Sequence, residues 1–288
     1  MTRAFSCSFS FVALLSVVLL VGIFAWQSGP VWQHEGAGYV TGTKWFFRQQ
    51  QFGALPMIYG SVVVAVIALV LAAPLGLGTA IFIAEYLPQR VRLAVKMLVE
   101  MLAGVPSVVY GLLGILLLRD WVYESFERFE PLSGDTLLTA GILLAVMVLP
   151  TVVTLADDAL RAVPSSQRSS ARALGLTRAE MIWSICLPQA RHGIGAALLL
   201  SLGRALGETI AVFLVVGRQD NNLPAHWWSP APLLEAGQTL TSKLGGSETN
   251  IGYGDPLHWG AIMGLGLLLL VMTGAVTLLG TLRRKSDA

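Results

Sequence analysis

Two charged residues in an otherwise apolar stretch have types and a spacing suited to handling an anion. Arg204 and Glu208 are four residues apart in segment 193–216, which predicts one shared helix face and a distance short enough for pairing. An arginine can donate two parallel hydrogen bonds to an oxyanion. A nearby carboxylate would weaken that binding, so that the anion moves on. Ser201 lies on the same stripe and would add a hydroxyl group.

A purely structural role is the alternative for this pair. An unpaired charge in the hydrocarbon core of a membrane costs at least ~2.5–3.5 kcal/mol. The same spacing therefore also suits a salt bridge between Arg204 and Glu208 that only holds the helix in place. The residue types leave both interpretations open.

The surrounding sequence has the composition of a membrane protein. Charged residues make up 12% of the 288 residues, against ~25% in an ordinary soluble domain. The hydrophobic share is 55% and the mean hydropathy is +0.68. The net charge of +2 is too small for a nucleic-acid-binding surface, and two cysteines cannot form a disulfide framework. These values exclude a soluble single-core enzyme and a nucleic-acid binder.

Six windows are long and apolar enough to cross the hydrocarbon core as helices, which predicts an all-α membrane protein with six transmembrane helices. Gly104 and Pro106 predict a bend that faces a pore, whereas Pro74 and Pro150 predict ordinary kinks. The first window is expected to remain as a span, because no small-residue cleavage site follows it. The windows are 9–26, 57–84, 97–118, 137–155, 193–216 and 259–282.

The distribution of Lys and Arg predicts the orientation. With a cytoplasmic N-terminus, twelve basic residues fall in inner segments and six in outer segments. Basic residues are enriched on the cytoplasmic side, so both termini are expected there, in an inner (cytoplasmic) membrane. The chain then divides into an N-terminal helix and outer segment (1–56), a core with five of the predicted spans (57–282) and a cytoplasmic loop at 156–192, and a cytoplasmic tail (283–288).

The inner loop 156–192 predicts two short helices joined at a glycine. Pro164 or Ser165 can start a helix that stops at Gly175. Thr177 and Glu180 then form a capping-box pattern that starts a second helix, expected to end before Pro188. An apolar stripe on this helix either packs on its own bundle or enters a groove on another protein. The stripe consists of Met181, Ile182 and Ile185.

Motifs for covalent or nucleotide chemistry are missing from the sequence. It contains no G-x-x-x-x-G-K-[ST] phosphate loop, so nothing in it can hydrolyse ATP by that route. The histidines have no metal-ligand spacing and are expected to be solvated loop residues. They are His34, His192, His226 and His258. No cofactor and no metal are expected.

The interval from Gly175 to Pro188 resembles the "EAA" loop of importer permeases of the ATP-binding-cassette (ABC) class. In that pattern E-A-A is followed by three residues and a glycine, and later by I-x-L-P. Ile185, Leu187 and Pro188 supply its end. The opening differs, because segment 169–171 reads Ser-Ser-Ala and lacks the glutamate.

Further segments resemble the phosphate-specific members of that class. Segment 102–111 (LAGVPSVVYG) is similar to their third span, and segment 203–212 (GRALGETIAV) is similar to their fifth. Segments 52–56 (FGALP) and 239–242 (TLTS) favour the PstC type over the PstA type. The resemblance covers about residues 52–282.

The resemblance implies a fold, partners and sites. The fold would be the type I, MetI-like permease bundle of ABC importers. The partners would be a second permease subunit of the PstA type, a pair of ATP-binding subunits, and a periplasmic protein that delivers inorganic phosphate. The coupling residues would be Gly175, Met181, Ile182, Ile185 and Pro188. The substrate pathway predicted above from the residue types contains Ser201, Arg204 and Glu208.

Four other functions remain open at this point. An ABC importer of another oxyanion, such as sulfate or molybdate, would have the same permease features, because the fold does not settle the ligand. A membrane enzyme acting on a phosphorylated lipid would use Arg204 but lacks a nucleophile–base pair. An ion-coupled secondary transporter would show weak inverted repeats. A sensor that does not transport is the fourth.

Overall fold

The computed structural model describes residues 2–224 and 231–285. His226, Trp227 and Trp228 lie outside the described residues. The first part of the chain forms α1 (Thr2–Gln27), α2 (Gly29–Glu35), α3 (Gly38–Thr41), β1 (Trp45–Phe46), β2 (Gln51–Phe52), α4 (Leu55–Ile81), α5 (Gln89–Ala103), α6 (Ser107–Leu113) and α7 (Arg119–Ser125). The second part forms α8 (Leu137–Arg161), α9 (Ser165–Ala173), α10 (Arg178–Met181), α11 (Leu187–Gly207), α12 (Ile210–Val215), α13 (Leu240–Leu244), α14 (Glu248–Gly252) and α15 (Pro256–Lys285).

Single wider or tighter turns join several of these helices. π-helical turns lie at Phe82–Tyr86, Gly114–Leu118 and Ile182–Cys186. Short 3₁₀ turns lie at Phe47–Gln49, Glu127–Phe129 and Ala231–Leu234. The two strands form a small antiparallel hairpin in which Trp45 is paired with Phe52.

Four helical stretches among the described residues are long and apolar enough to cross a membrane. A fifth is counted when α5 and the helix that follows it are taken as one bent span. The prediction of an all-α, multi-pass membrane protein is therefore confirmed, and α4 and α8 continue unbroken through Pro74 and Pro150. The four stretches are Phe9–Gln27, Leu55–Tyr86, Leu137–Arg161 and Pro256–Thr281.

The third predicted window contains the expected bend. The helix Gln89–Ala103 meets the helix Ser107–Ser125 at 83°. Pro106 has no backbone N–H and disfavours a helical conformation in the residue before it, so the chain leaves the helix at Gly104 and resumes it at Ser107.

The fifth predicted window is not one continuous helix, and that prediction is wrong. α11 ends at Gly207 and α12 begins at Ile210. Between them Glu208 is extended, with ψ 123°, while Thr209 has φ −107°. Glycine and a β-branched threonine are both unfavourable in a helix interior, and the break falls between them.

Close packing of α4 against α8 forms the centre of the bundle. A Cβ on Gly76 would lie 2.6 Å from Val152 Cγ1, and one on Gly141 would lie 2.5 Å from Ile67 Cγ2. These two glycines therefore let the helix backbones approach. The main apolar cluster extends from this contact to α11 and α12 and includes buried Val148, as well as Ala205 and Val215.

Segment 27–56, predicted to lie on the outer side and called the outer layer below, shares a core with the end of the chain. Val31, Tyr39 and Phe52 are fully or almost fully buried in one cluster with Leu240 and Leu265. The Tyr39 hydroxyl donates to the carbonyl of Ala261 at 2.7 Å. This segment is a folded layer on α13 and α15, held by its own apolar side chains.

Candidate coupling loop and substrate pathway

The turn at Gly175 is fixed by local hydrogen bonding. The Gly175 N–H donates to the carbonyl of Arg172 at 3.0 Å, and the Leu176 N–H donates to the carbonyl of Ala171 at 3.2 Å. This pair of bonds is the Schellman ending of α9. Gly175 has φ +80°, a conformation that glycine adopts at low cost. The predicted helix from Ser165 to a stop at Gly175 is confirmed.

The predicted capping box at the start of α10 is also present. The Thr177 hydroxyl accepts from the Glu180 N–H at 3.3 Å, and Glu180 Oε2 accepts from the Thr177 N–H at 2.8 Å. The hydrogen bond from the Thr177 hydroxyl, followed by that from its backbone, lowers the pKa of Glu180. α10 therefore starts at a position fixed by its own sequence.

The second helix of the loop does not end before Pro188, so that expectation is wrong. It continues through the π-helical turn into α11, which contains Pro188 in its first turn. The Leu187 N–H donates to the carbonyl of Ile182, five residues back. Pro188 has no N–H to donate, and it follows closely on the π-helical turn, where the regular i to i−4 bonding pattern is already interrupted.

The apolar stripe of the loop packs on its own bundle. Met181 is 1% exposed and Ile182 is 3% exposed. Ile185 is half-buried, and Met181 shares a cluster with Ala80 of α4 and Leu160 of α8. Of the two interpretations of the stripe, the structure favours packing on its own bundle over insertion into a groove on another protein.

Two other apolar residues of the loop face outward. Leu174 is 82% exposed at the end of α9, and Trp183 is 72% exposed on the π-helical turn. Neither was singled out from the sequence. Trp183 falls between the stripe residues Ile182 and Ile185, and its exposure follows from its position on the opposite side of the helix. These two side chains are the apolar surface that the loop presents.

Arg204 is bound to a neighbouring helix rather than to Glu208. Its Nη1 donates to Thr151 Oγ1 of α8 at 3.0 Å, and its side chain is exposed. Ser201 is fully buried one turn earlier on α11, and its hydroxyl has no hydrogen-bond partner among the described residues. Thr151 was not identified from the sequence, because nothing in its neighbourhood marks it as a partner for a residue on another helix.

The expected Arg204–Glu208 pair does not form. Within residues 2–224 and 231–285, no ion pair joins the two side chains. The reason is the end of α11 at Gly207, which places Glu208 outside the helix that carries Arg204. The prediction of a shared helix face, and with it a structural salt bridge, is wrong in this conformation.

A largely buried cluster of charged side chains lies where the outer layer meets α13, α14 and α15, and sequence reasoning missed it. Lys243 is 4% exposed, forms an ion pair with Asp220 at 2.6 Å and another with Glu248. Glu248 also accepts from Trp45 Nε1 at 2.7 Å and lies 2.9 Å from His258 Nε2. Burial raises the pKa of Glu248, but these hydrogen bonds and the Lys243 charge outweigh it and hold that pKa below its usual value.

The expectation of a solvated histidine is wrong for His258. Its side chain is buried, and its ring stacks on Phe47 at 5.3 Å and on Phe52 at 5.6 Å between centroids. The contacts that Trp45, Phe47 and Phe52 make with Glu248 and His258 join residues about two hundred positions apart. No local spacing could therefore have indicated them.

Solved structures assign the fold to a class. The MetNI methionine ABC transporter in an inward-facing conformation is similar at a TM-score of 0.57 and 15% identity, covering 80% of this chain and 94% of that one. A bacterial alginate ABC transporter, solved in complex with a periplasmic protein bound to an alginate pentasaccharide, is similar at a TM-score of 0.54 and 17% identity. The match covers 97% of this chain and 95% of that one. The helical bundle is therefore an ABC importer permease fold.

Sequence comparison gives the family. Residues 74–282 match the family described as binding-protein-dependent transport system inner membrane component. The phosphate transport system permease protein PstC of Mesorhizobium japonicum is 34% identical over 91% of this chain and 83% of its own length. PstC of Xylella fastidiosa is 32% identical over 96% of this chain and 86% of its own length. PstC 1 of Mycobacterium tuberculosis is 34% identical over 82% of this chain and 73% of its own length. The chain belongs to the PstC family of ABC transporter permeases.

Proposed function

We propose that this protein is the permease subunit of an ABC importer that moves inorganic phosphate across the inner membrane. The proposal is supported above all by the similarity of this chain to PstC proteins along nearly its whole length. With PstC of Mesorhizobium japonicum the identity is 34% over 280 residues. ATP hydrolysis would take place in a separate pair of ATP-binding subunits. A PstA-type permease would complete the pore, and a periplasmic phosphate-binding protein would deliver the substrate.

The loop between α8 and α11 would be the contact for the ATP-binding subunits. Leu174 and Trp183 provide the exposed apolar surface that such a contact needs. Gly175 and Pro188 would set the shape of the loop. Met181, Ile182 and Ile185 would hold it on the bundle, so that a movement imposed on the exposed surface reaches the spans.

Arg204 and Thr151 would form the anion-binding point of the pathway. The guanidinium is exposed and bound to a neutral hydroxyl, so its charge remains available to an oxyanion. Ser201 lies one turn away on the same helix. Glu208, at the break after α11, would place a negative charge further along the path and limit how long the anion stays.

The orientation and the domain division are part of the same proposal. Both termini would be cytoplasmic, with segment 1–56 as an N-terminal helix and outer layer, 57–282 as the permease core and 283–288 as a tail. Reporter fusions should place positions 29, 130 and 246 outside and positions 92, 168 and 285 inside, because of the twelve-to-six distribution of basic residues. An outside signal from position 168 would contradict the coupling role of the loop.

The decisive experiment reconstitutes the full importer in proteoliposomes. This chain is combined with its sister permease, its ATP-binding subunits and its binding protein, and uptake is measured with phosphate, sulfate or molybdate. Uptake of phosphate driven by ATP supports the proposal. Uptake of sulfate or molybdate in preference to phosphate would instead make the chain a permease for that oxyanion.

A further inference from the structure

One arginine of the cytoplasmic loop reaches into the bundle. Arg168 of α9 forms an ion pair through Nη1 with Glu85 Oε1, and its Nη2 donates to the carbonyl of Leu160 at 2.7 Å. The Arg168 side chain is 17% exposed and that of Glu85 is 3% exposed. One guanidinium therefore joins three segments: α9, the end of α8, and the π-helical turn that follows α4.

α9 has few other attachments to the bundle. Its sequence is polar, and Ala171 is its only fully buried residue. The Arg172 side chain, one turn further along, is exposed. Leu174, which closes the helix, faces outward. The position of α9 relative to the spans therefore depends mainly on Arg168.

Glu85 binds the first arm of the loop and lies near the second. Besides Arg168 in the first arm, it lies close to Cys186 in the π-helical turn of the second arm. Burial, and then the Glu85 carboxylate, raise the pKa of the Cys186 thiol. Glu85 itself ends the long helical stretch Leu55–Tyr86, whose α4 part packs closely on α8. A displacement of Glu85 is thus a displacement of the cytoplasmic end of this span.

The chemistry of the pair makes the link stiff. The guanidinium has donors in a fixed planar arrangement, so it can hold a carboxylate and a carbonyl at the same time. Separating the pair would leave a charge without its partner in a buried site, which is strongly unfavourable. The loop and the end of α4 therefore move together while the pair is intact.

We propose that Arg168 is a positioning residue that transmits movement of the coupling loop to α4 through Glu85. The proposal rests on the coupling role of the loop stated above. A push on Leu174 by an ATP-binding subunit displaces α9, and Arg168 carries that displacement to the span. Loss of the link separates ATP hydrolysis from transport while the exposed docking surface stays intact.

The test compares Arg168→Gln with Arg172→Gln in the reconstituted importer. Both substitutions remove one positive charge from the same helix, but only the first removes the ion pair with Glu85. Arg168→Gln should lower the anion transported per ATP about fivefold or more, the scale of a coupling free energy, with the complex still co-purifying. Arg172→Gln should keep the wild-type ratio. An unchanged ratio in Arg168→Gln, or an equal loss in Arg172→Gln, would overturn the proposal.

Two further measurements separate transmission from simple folding. Arg168→Lys keeps the positive charge but loses the planar guanidinium with its several donors. The amount of anion transported per ATP should therefore lie between the values for Arg168→Gln and wild type. Hydrogen exchange of the intact complex should show faster exchange in segment 165–173 of Arg168→Gln, with α10 and α11 unchanged. Uniformly faster exchange along the chain would mean a folding defect and would count against transmission.

Failure of the Arg168 proposal can be distinguished from failure of the proposed function. If wild-type importer moves sulfate rather than phosphate, the substrate assignment fails, but the ratio of transport to hydrolysis is then measured with sulfate. If the wild type transports phosphate and Arg168→Gln transports it at the same ratio, only the role of Arg168 fails.

Discussion

Replacement of Gly175 tests whether the shape of the coupling loop matters for energy transfer. Gly175 has φ +80°, and no atom lies within 4 Å of the position that a Cβ would occupy. A side chain there meets no steric barrier, so its whole effect comes from the left-handed backbone. That conformation costs a non-glycine residue roughly 1–2 kcal/mol, and a β-branched valine is stiffer than alanine.

The magnitude follows from this backbone cost. A penalty of about 1–2 kcal/mol reduces the population of the native turn by roughly five- to thirtyfold relative to its alternatives. Gly175→Val should therefore lower phosphate transported per ATP in proteoliposomes, or loosen the ATP-binding subunits, while membrane insertion is kept. Gly175→Ala should show the same change to a smaller degree.

Gly36 offers a matched control for this experiment. It also has a positive φ, +54°, with nothing within 4 Å of its Cβ position, but it lies in the outer layer. Gly36→Val should lower the melting temperature and leave the ratio of transport to hydrolysis unchanged. A complete complex with normal coupled transport from Gly175→Val at wild-type expression would refute the reasoning.

Three other substitutions test the remaining parts of the site. Arg204→Gln should assemble normally yet reduce phosphate uptake about tenfold or more, because hydrogen bonds to charged groups contribute about 1.5–3 kcal/mol; full uptake would remove Arg204 from the pathway. Trp183→Ala should weaken co-purification of the ATP-binding subunits, whereas Trp121→Ala, exposed on α7, should not. Glu248 has a lowered pKa in the folded protein, so its stabilising effect is present above its unfolded pKa, ~4.3, and is lost as the pH falls through the folded value. Glu248→Gln should therefore melt at a lower temperature than wild type at pH 7, and the difference should shrink below about pH 4.

Features that depend on neighbouring residues could be predicted from the sequence. The turn at Gly175 and the capping box at Thr177 need only backbone groups within a few positions. The bend at Pro106 likewise follows from a missing N–H. The physical causes of these features are local, so the same residues would specify them in almost any surrounding.

Features that depend on contacts between distant segments could not be predicted. The helix breaks between Gly207 and Ile210, although the apolar pattern there is equally compatible with one continuous helix. The burial of His258 depends on Phe47 and Phe52, which come from the other end of the chain. The side of the loop helix that faces the bundle was left open for the same reason.

The placement of the ion pairs gives the bundle two fixed ends and a less constrained middle. At the end with the coupling loop, Arg168 binds Glu85, and Lys96 of α5 binds Asp157 and Asp158 of α8 at 3.3 and 2.8 Å. At the other end, the Lys243 cluster holds the outer layer on the spans. Between them, the hydrogen bond that Arg204 makes within residues 2–224 and 231–285 is to the neutral hydroxyl of Thr151.

This distribution fits the proposed function, in which the protein transmits a movement of the loop and releases an anion. Separating Arg168 from Glu85, or Lys243 from Glu248, would leave an uncompensated charge in a largely buried site. These two links therefore hold when the loop is pushed. A hydrogen bond to a neutral hydroxyl is exchanged far more readily, with a net value of about 0.5–1.5 kcal/mol. Under the proposed function, Arg204 would therefore exchange Thr151 for an oxyanion and return to it. A charged partner at Thr151 would hold the arginine too tightly for that exchange, so Thr151→Asp should lower uptake while the melting temperature is kept or raised. Wild-type uptake by Thr151→Asp would contradict this account of the middle of the bundle.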